Sequence, residues 1–146
     1  MKLRSSSVLH ATAIVSALIC MGTGLGVITA APAAAALEVC NGTGIAAAGN
    51  ESVATIPGRK GVGTTCRLSE GDSGEAVTTL QATLNRCYNA GLQVDGKFGP
   101  RTKSALQRAQ GTAGAGVDGV YGPETRDKLR WHSRMHDTDK GCNRLT

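Results

Sequence analysis

Val94-Asp95-Gly96-Lys97-Phe98-Gly99-Pro100-Arg101-Thr102 returns 23 residues later as Val117-Asp118-Gly119-Val120-Tyr121-Gly122-Pro123-Glu124-Thr125. Each copy has a leucine four residues after its threonine, Leu106 and Leu129. A recurring segment marks how a chain is built. Asp-Gly reads as a tight turn, because glycine accepts positive φ and the aspartate side chain bonds nearby backbone N–H groups. Phe98 and Tyr121 read as plugs beneath the two turns. Gly99-Pro100 and Gly122-Pro123 open helices, since proline at the first helical position loses no hydrogen bond by lacking an N–H. The threonine and the leucine four residues on share one helix face, which is the expected core contact.

Working outward, Gly71-Asp72-Ser73-Gly74-Glu75 reads as a helix entrance, with Asp72 as cap and Glu75 three residues later. Val77, Leu80, Leu84 and Cys87 follow at helical spacing, and Gly91 ends that helix. A second helix is expected from Pro100 to about Gln110, stopped by Gly111, with Thr102, Ala105, Leu106 and Ala109 facing inward. A third is expected from Pro123 to about His132, with Arg126, Asp127, Arg130 and Arg134 facing out. Leu37 to Thr65 is rich in Gly, Ala, Ser and Thr and reads mostly as loop. Within it, Ser52-Val53-Ala54-Thr55-Ile56 alternates as a short strand able to pair with Cys66-Arg67-Leu68. The expected fold is mainly α: a compact three-helix bundle with a short disulfide-stapled N-terminal extension carrying at most a small β-hairpin.

The first 36 residues read as a secretory signal. Lys2 and Arg4 supply the charged start, Ala11 to Ala30 the apolar stretch, and Ala31-Pro32-Ala33-Ala34-Ala35-Ala36 a small-residue exit. A membrane anchor is the rival reading, since the stretch approaches a spanning length of roughly 20 residues. Gly22, Gly24, Gly26 and the small exit favour cleavage after Ala36, leaving no membrane attachment. Cys20 leaves with the leader, because Ile19 before it is too large for a lipid-attachment site. The expected organisation is a signal over 1–36, an extension over 37–66, the helical domain over 67–132 and a tail over 133–146.

Four cysteines remain, Cys40, Cys66, Cys87 and Cys142, and an even number in a small exported chain reads as two disulfides. Three pairings are open. The expected one is Cys40–Cys66, closing a local loop, with Cys87–Cys142 tying the tail to the first helix. Metal binding is the competing use, but no C-x-x-C pair is present. Loss of Lys2 and Arg4 leaves 14 of 16 basic residues against 11 acidic ones, a net charge near +3. A wall polymer bearing carboxylates or phosphates suits that balance better than nucleic acid.

Arg67-Leu68 leading into Gly71-Asp72-Ser73-Gly74-Glu75-Ala76-Val77, then Leu80-Gln81 and Leu84-Asn85, resembles the first helix of the peptidoglycan-binding-like domain family. The two Asp-Gly-x-aromatic-Gly-Pro-x-Thr segments resemble that family's signature turns, so the likeness spans roughly Leu68 to Trp131. The arrangement is similar to small secreted actinobacterial proteins. The resemblance implies a three-helix bundle serving as a cell-wall-targeting module, of the kind attached to amidases, muramidases, carboxypeptidases or transpeptidases. Two positions depart from the family's habit: Ala109 stands where Phe is frequent, and Arg126 where Trp is frequent.

Asp95 and Asp118 look like a carboxylate pair for glycoside chemistry, which needs two carboxyls facing one bond. Each is followed by Gly96 or Gly119 in the same turn motif, and turn formation accounts for both. His132 and His136 stand four apart, with Asp137 and Asp139 as further donors. Ser133 occupies the place where a zinc-protease helix needs glutamate, so a solvated helix end is the expected reading. Asn41-Gly42-Thr43 and Asn50-Glu51-Ser52 match the glycosylation sequon and receive no function here. No nucleophile–base constellation is visible, so no enzyme activity and no cofactor are expected. The expected function is non-catalytic peptidoglycan binding outside the cell. Arg101, Arg126 and Arg130 would meet stem-peptide carboxylates. Tyr121 would contact sugar faces or plug the core, and Trp131 would stack on a sugar or pack. The Gly99 and Gly122 positions complete the structural turn motif. The rival function is capture of another exported protein through residues 37–66.

Overall fold

The computed structural model describes residues 36–135 and 138–146. Residues 1–35 of the expected leader lie outside the described residues, as do His136 and Asp137. The elements run β1 (Gly42–Ala48), β2 (Ser52–Gly58), α1 (Glu75–Tyr88), α2 (Pro100–Ala113), α3 (Pro123–Lys128), β3 (Trp131–Met135) and β4 (Thr138–Asn143). The four strands form one antiparallel sheet in the order β1-β2-β3-β4.

This corrects the mainly-α, three-helix expectation. The segment before the helices and the segment after them are not appendages: they pair, Val53 with Arg134 and Ala54 with Ser133, and build the sheet together. The sheet's far end also returns to its start, because Leu145 bridges Ala48 and the Gly49 N–H donates to the Arg144 carbonyl at 3.0 Å. Cys66-Arg67-Leu68 does not pair with β2. Arg67 bridges Val39 instead, and Leu68 bridges Tyr121.

The helices differ in detail from their expected bounds. α1 starts behind Gly74 without a side-chain cap. Asp72 is spent one turn earlier, where its carboxylate accepts the Ser69 N–H at 2.7 Å. Asn89, at φ 52°, ends α1 before Gly91 is reached. α2 runs through Gly111 to Ala113 and stops at Gly114. α3 has six residues instead of ten, because Leu129 turns to extended backbone (ψ 157°) and Trp131 opens β3. The charged run Arg126 to Arg134 keeps a helical look in sequence while its second half is strand.

One core joins the layers. Val77, Leu80 and Leu84 of α1, Ala105, Leu106 and Ala109 of α2, Ile56 of β2 and Trp131 of β3 meet around Leu68, Phe98, Tyr121 and Leu129. Burying each large side chain contributes about 1.5–3 kcal/mol. Tyr121 and Trp131 form an edge-to-face pair with ring centroids 6.0 Å apart. Two disulfides staple the periphery: Cys40–Cys66 fixes the start of the sheet to the lead-in of α1, and Cys87–Cys142 fixes α1 to β4. That lead-in is itself zipped to both turns. Leu68 and Tyr121 exchange backbone hydrogen bonds at 2.9 and 3.0 Å, Gly71 donates to the Phe98 carbonyl and Phe98 donates to that of Asp72.

Candidate functional site

Both repeated turns are held from below by a glutamine. The Gln81 amide nitrogen reaches Asp95 Oδ1 at 2.9 Å, the Lys97 carbonyl at 3.0 Å and Thr102 Oγ1 at 3.2 Å, while its oxygen accepts the Gly96 N–H at 2.9 Å. Gln110 repeats every contact on the second turn, with Asp118, the Val120 carbonyl, Thr125 and Gly119 at 2.7 to 3.0 Å. Both glutamines are buried, at 1% and 0% exposure. Buried polar groups need partners, and each of these amides finds its own within one turn. Gly96 and Gly119 sit at φ 70° and 71°, and a Cβ there would press on Thr78 Oγ1 at 2.9 Å or Lys103 Cγ at 2.8 Å. The hydrogen bond from Gln81, followed by that from the Lys97 N–H, holds the Asp95 carboxyl below the usual carboxylate range. Asp95 and Asp118 are thus occupied in separate turns and do not face one substrate bond.

Over the first turn lies a groove of about 510 Å³, lined by Leu92, Gln93, Asp95, Lys97, Gly99, Pro100 and Arg101 above Gln81 and Thr102. A shallower trough of about 350 Å³ continues it past Leu92, Pro100 and Arg101 to Ser104 and Arg108. Arg101 lies on both, exposed and without an ion-pair partner among the described residues. The groove combines an apolar floor from Leu92 and Pro100 with cations and amide donors at its rim. Such a surface can hold an extended polar ligand that carries carboxylates.

Of the five side chains expected to touch a ligand, only Arg101 lines this groove. Tyr121 and Trp131 are fully buried and present no ring face to a sugar. Burial pushes the Tyr121 phenol far up, and its hydroxyl donates to the Pro57 carbonyl at 3.3 Å. The Trp131 indole N–H donates to the Arg126 carbonyl at 2.8 Å. Arg126 is engaged structurally: it clasps the Asp127 carboxylate with two nitrogens at 2.7 and 3.1 Å and reaches Thr64. Arg130 is exposed but belongs to another surface, where its N–H donates to Tyr88 Oη at 2.7 Å. His132 lies in β3, not at a helix end, and pairs with Asp139 Oδ2 at 3.0 Å. That bond, with the Gly141 N–H, draws the Asp139 carboxyl below its ordinary range. Among the described residues no three metal-ligating side chains gather. Likewise, no helix among them is long and apolar enough to cross a membrane.

Sequence reasoning missed the paired roles of Gln81 and Gln110. Both follow an inward apolar residue, Leu80 or Ala109, but they stand 14 and 8 residues before their aspartates, so the repeat is not in register there.

Compared with known proteins, residues 73–129 match a family described as a putative peptidoglycan binding domain. An uncharacterized protein in the bpoA1 3′ region of Kitasatospora aureofaciens is 39% identical over 116 residues, covering 77% of this chain and 98% of the relative. A zinc D-Ala-D-Ala carboxypeptidase of Streptomyces albus G is 53% identical over 45 residues, which is 30% of this chain and 18% of that enzyme. Among solved structures, the SleB N-terminal domain shares 40% identity at a TM-score of 0.38, covering 41% of this chain and 82% of that one. A peptidoglycan-binding protein from Clostridioides difficile, in complex with glutamine hydroxamate, shares 26% identity at a TM-score of 0.46, covering 60% and 56%.

Proposed function

The chain belongs to the putative peptidoglycan binding domain family, and from that premise we propose that it is a secreted, non-catalytic protein that binds peptidoglycan. The groove over the first turn is the proposed contact. Arg101 meets a stem-peptide carboxylate there, Leu92 and Pro100 lie under the apolar faces of the ligand, and Gln93 and Lys97 donate from the rim. The observation that carries this reading is the uncompensated Arg101 on a groove whose floor is pinned by Gln81. A charge-assisted contact is about twice as strong as a neutral one, and ordering the exposed Arg101 side chain offsets part of that gain. Two disulfides fit an oxidising compartment outside the cell. The likeness to the carboxypeptidase spans too little of that enzyme to bring its chemistry here.

The test is sedimentation of the oxidised protein with purified, teichoic-acid-free peptidoglycan. Pelleting that survives moderate salt and is lost in Arg101→Glu, with an unchanged melting temperature, supports the reading. A folded wild-type protein that stays in the supernatant overturns it.

A second reading rests on the face of β1 and β2 that carries Ile45 and Val53, 74% and 51% exposed on adjacent strands. This face would dock another exported protein. Deleting the segment would dismantle the sheet, so Ile45→Arg is the informative change: loss of a partner with wall pelleting intact favours this reading.

A further inference from the structure

At the C-terminal end of α1 lies a separate cavity of about 240 Å³, lined by Tyr88, Thr112, Ala113, Lys128, Arg130 and Arg144. It shares no residue with the Arg101 groove. Three of its walls are cations and none is an aspartate or glutamate. Among the described residues, none of the three cations has an ion-pair partner. Three like charges around one small cavity give it a positive potential that favours an anion between them. The half-buried Tyr88 adds a fourth donor. Its oxygen accepts the Arg130 N–H at 2.7 Å, which leaves its own O–H without an acceptor among the described residues. Burial raises the Tyr88 phenol above its ordinary range, against the opposing pull of the Arg130 and Arg144 charges, so the O–H stays protonated at neutral pH. Arg144 is steered toward the same cavity by one contact to the Ala113 carbonyl at 3.4 Å.

We propose that this cavity is a phosphate-binding site, formed by Lys128, Arg130, Arg144 and the Tyr88 hydroxyl. A carboxylate is planar and is satisfied by one guanidinium fork. A phosphate carries oxygens on several sides, which suits donors supplied by three separate segments: α1, the end of α3 with the turn that follows it, and the residues after β4. The site goes beyond the groove reading and does not depend on it. Free phosphate and a phosphodiester carried on a wall polymer share this chemistry.

The experiment is a titration of the oxidised full chain at fixed ionic strength, followed through backbone amide NMR shifts. The probes are inorganic phosphate, glycerophosphoglycerol as a diester, and acetate. Saturable shifts clustered at Lys128, Arg130 and Thr112 with inorganic phosphate are expected, at most weak with acetate. Lys128→Ala and Arg144→Ala, both at exposed positions, are each expected to weaken phosphate roughly tenfold, the size of one charge-assisted hydrogen bond. Saturation by the diester as well supports a polymer-borne phosphate, and saturation by inorganic phosphate alone supports the free ion. Shifts that are absent, scattered, matched by acetate, or unchanged in affinity in both folded variants overturn the proposal.

Discussion

The Gln81 amide nitrogen and Asp95 Oδ1 stand 2.9 Å apart, and the same amide's oxygen takes the N–H of the next residue, Gly96. Gln110 meets Asp118 and Gly119 in the same way. One side chain thus closes each turn at both its acceptor and its donor, and the turn in turn fixes the start of a helix.

Gln81→Leu and Gln110→Leu keep the volume but strand the buried N–H of Gly96 or Gly119 and take the amide donor away from the Asp95 or Asp118 carboxylate. Each is expected to cost about 2–4 kcal/mol. In urea the midpoint falls while the slope stays constant, as for any change that leaves the exposed surface alone. A cost near zero for either variant refutes the closing role of that glutamine.

Asp95 is the pH-sensitive member of the first turn. Its folded-state carboxyl lies below its ordinary value of 3.8, through the Gln81 hydrogen bond and then the Lys97 N–H. A depressed carboxyl contributes stability above its unfolded pKa and loses it as pH falls through the folded one. Wild-type stability is therefore expected to drop on acidification below about pH 4. Asp95→Asn keeps the acceptor oxygen and flattens part of that fall. Denaturation midpoints taken between pH 5 and pH 2 compare the two proteins, and parallel curves would count against the assignment.

Trp131 is wholly buried against Tyr121. Trp131→Ala is expected to cost about 3–5 kcal/mol, enough to threaten a domain of this size. In the native protein the fluorescence of this single tryptophan is expected to resist iodide quenching and to stay unchanged when wall fragments are added. Strong quenching by iodide, or a binding-induced shift, would place the indole at the surface.

The two disulfides close segments of different length, with sequence separations of 26 and 55. Loop entropy gives about 3.5 kcal/mol for the shorter and about 4 kcal/mol for the longer. Paired Cys→Ser replacements, compared by calorimetry, are expected to lower the melting temperature in both cases. The Cys87/Cys142 double variant also frees β4, so amide exchange should quicken there first.

The turns and the helix starts were legible because their chemistry is local. Asp-Gly and Gly-Pro dictate backbone angles whatever surrounds them. Of the four strands only β2 was legible, from the alternation of Ser52 to Ile56, and the rest of the sheet was not, because β1, β3 and β4 lack the usual signal. β1 reads Gly-Thr-Gly-Ile-Ala-Ala-Ala, poor strand formers whose one large residue, Ile45, faces outward. In β2 the buried face carries Ser52, Ala54 and Ile56 while Val53 and Thr55 are exposed, so two of its three inward residues are small and the alternation is weak as a hydrophobic signal. β3 was hidden inside a run of charges at helical spacing, and only the backbone turn at Leu129 separates the two. The exposure of Arg101 was legible from its charge and its place in the first turn of a helix. The burial of Tyr121 and Trp131 was decided by a sheet the sequence did not announce.

The lead-in to α1 bonds to Tyr121 through Leu68 and to Phe98 through Gly71 and Asp72. Neither turn can therefore swing open without pulling on the strip it shares with the other. Excursions that would let a ligand pry the first turn apart are tied to loss of the second, 23 residues away in sequence. Slow, synchronous hydrogen exchange at Leu68, Phe98 and Tyr121 is the signature of such a shared latch. The proposed binding surface above it is then expected to act as one rigid plate and to take a ligand without reshaping itself.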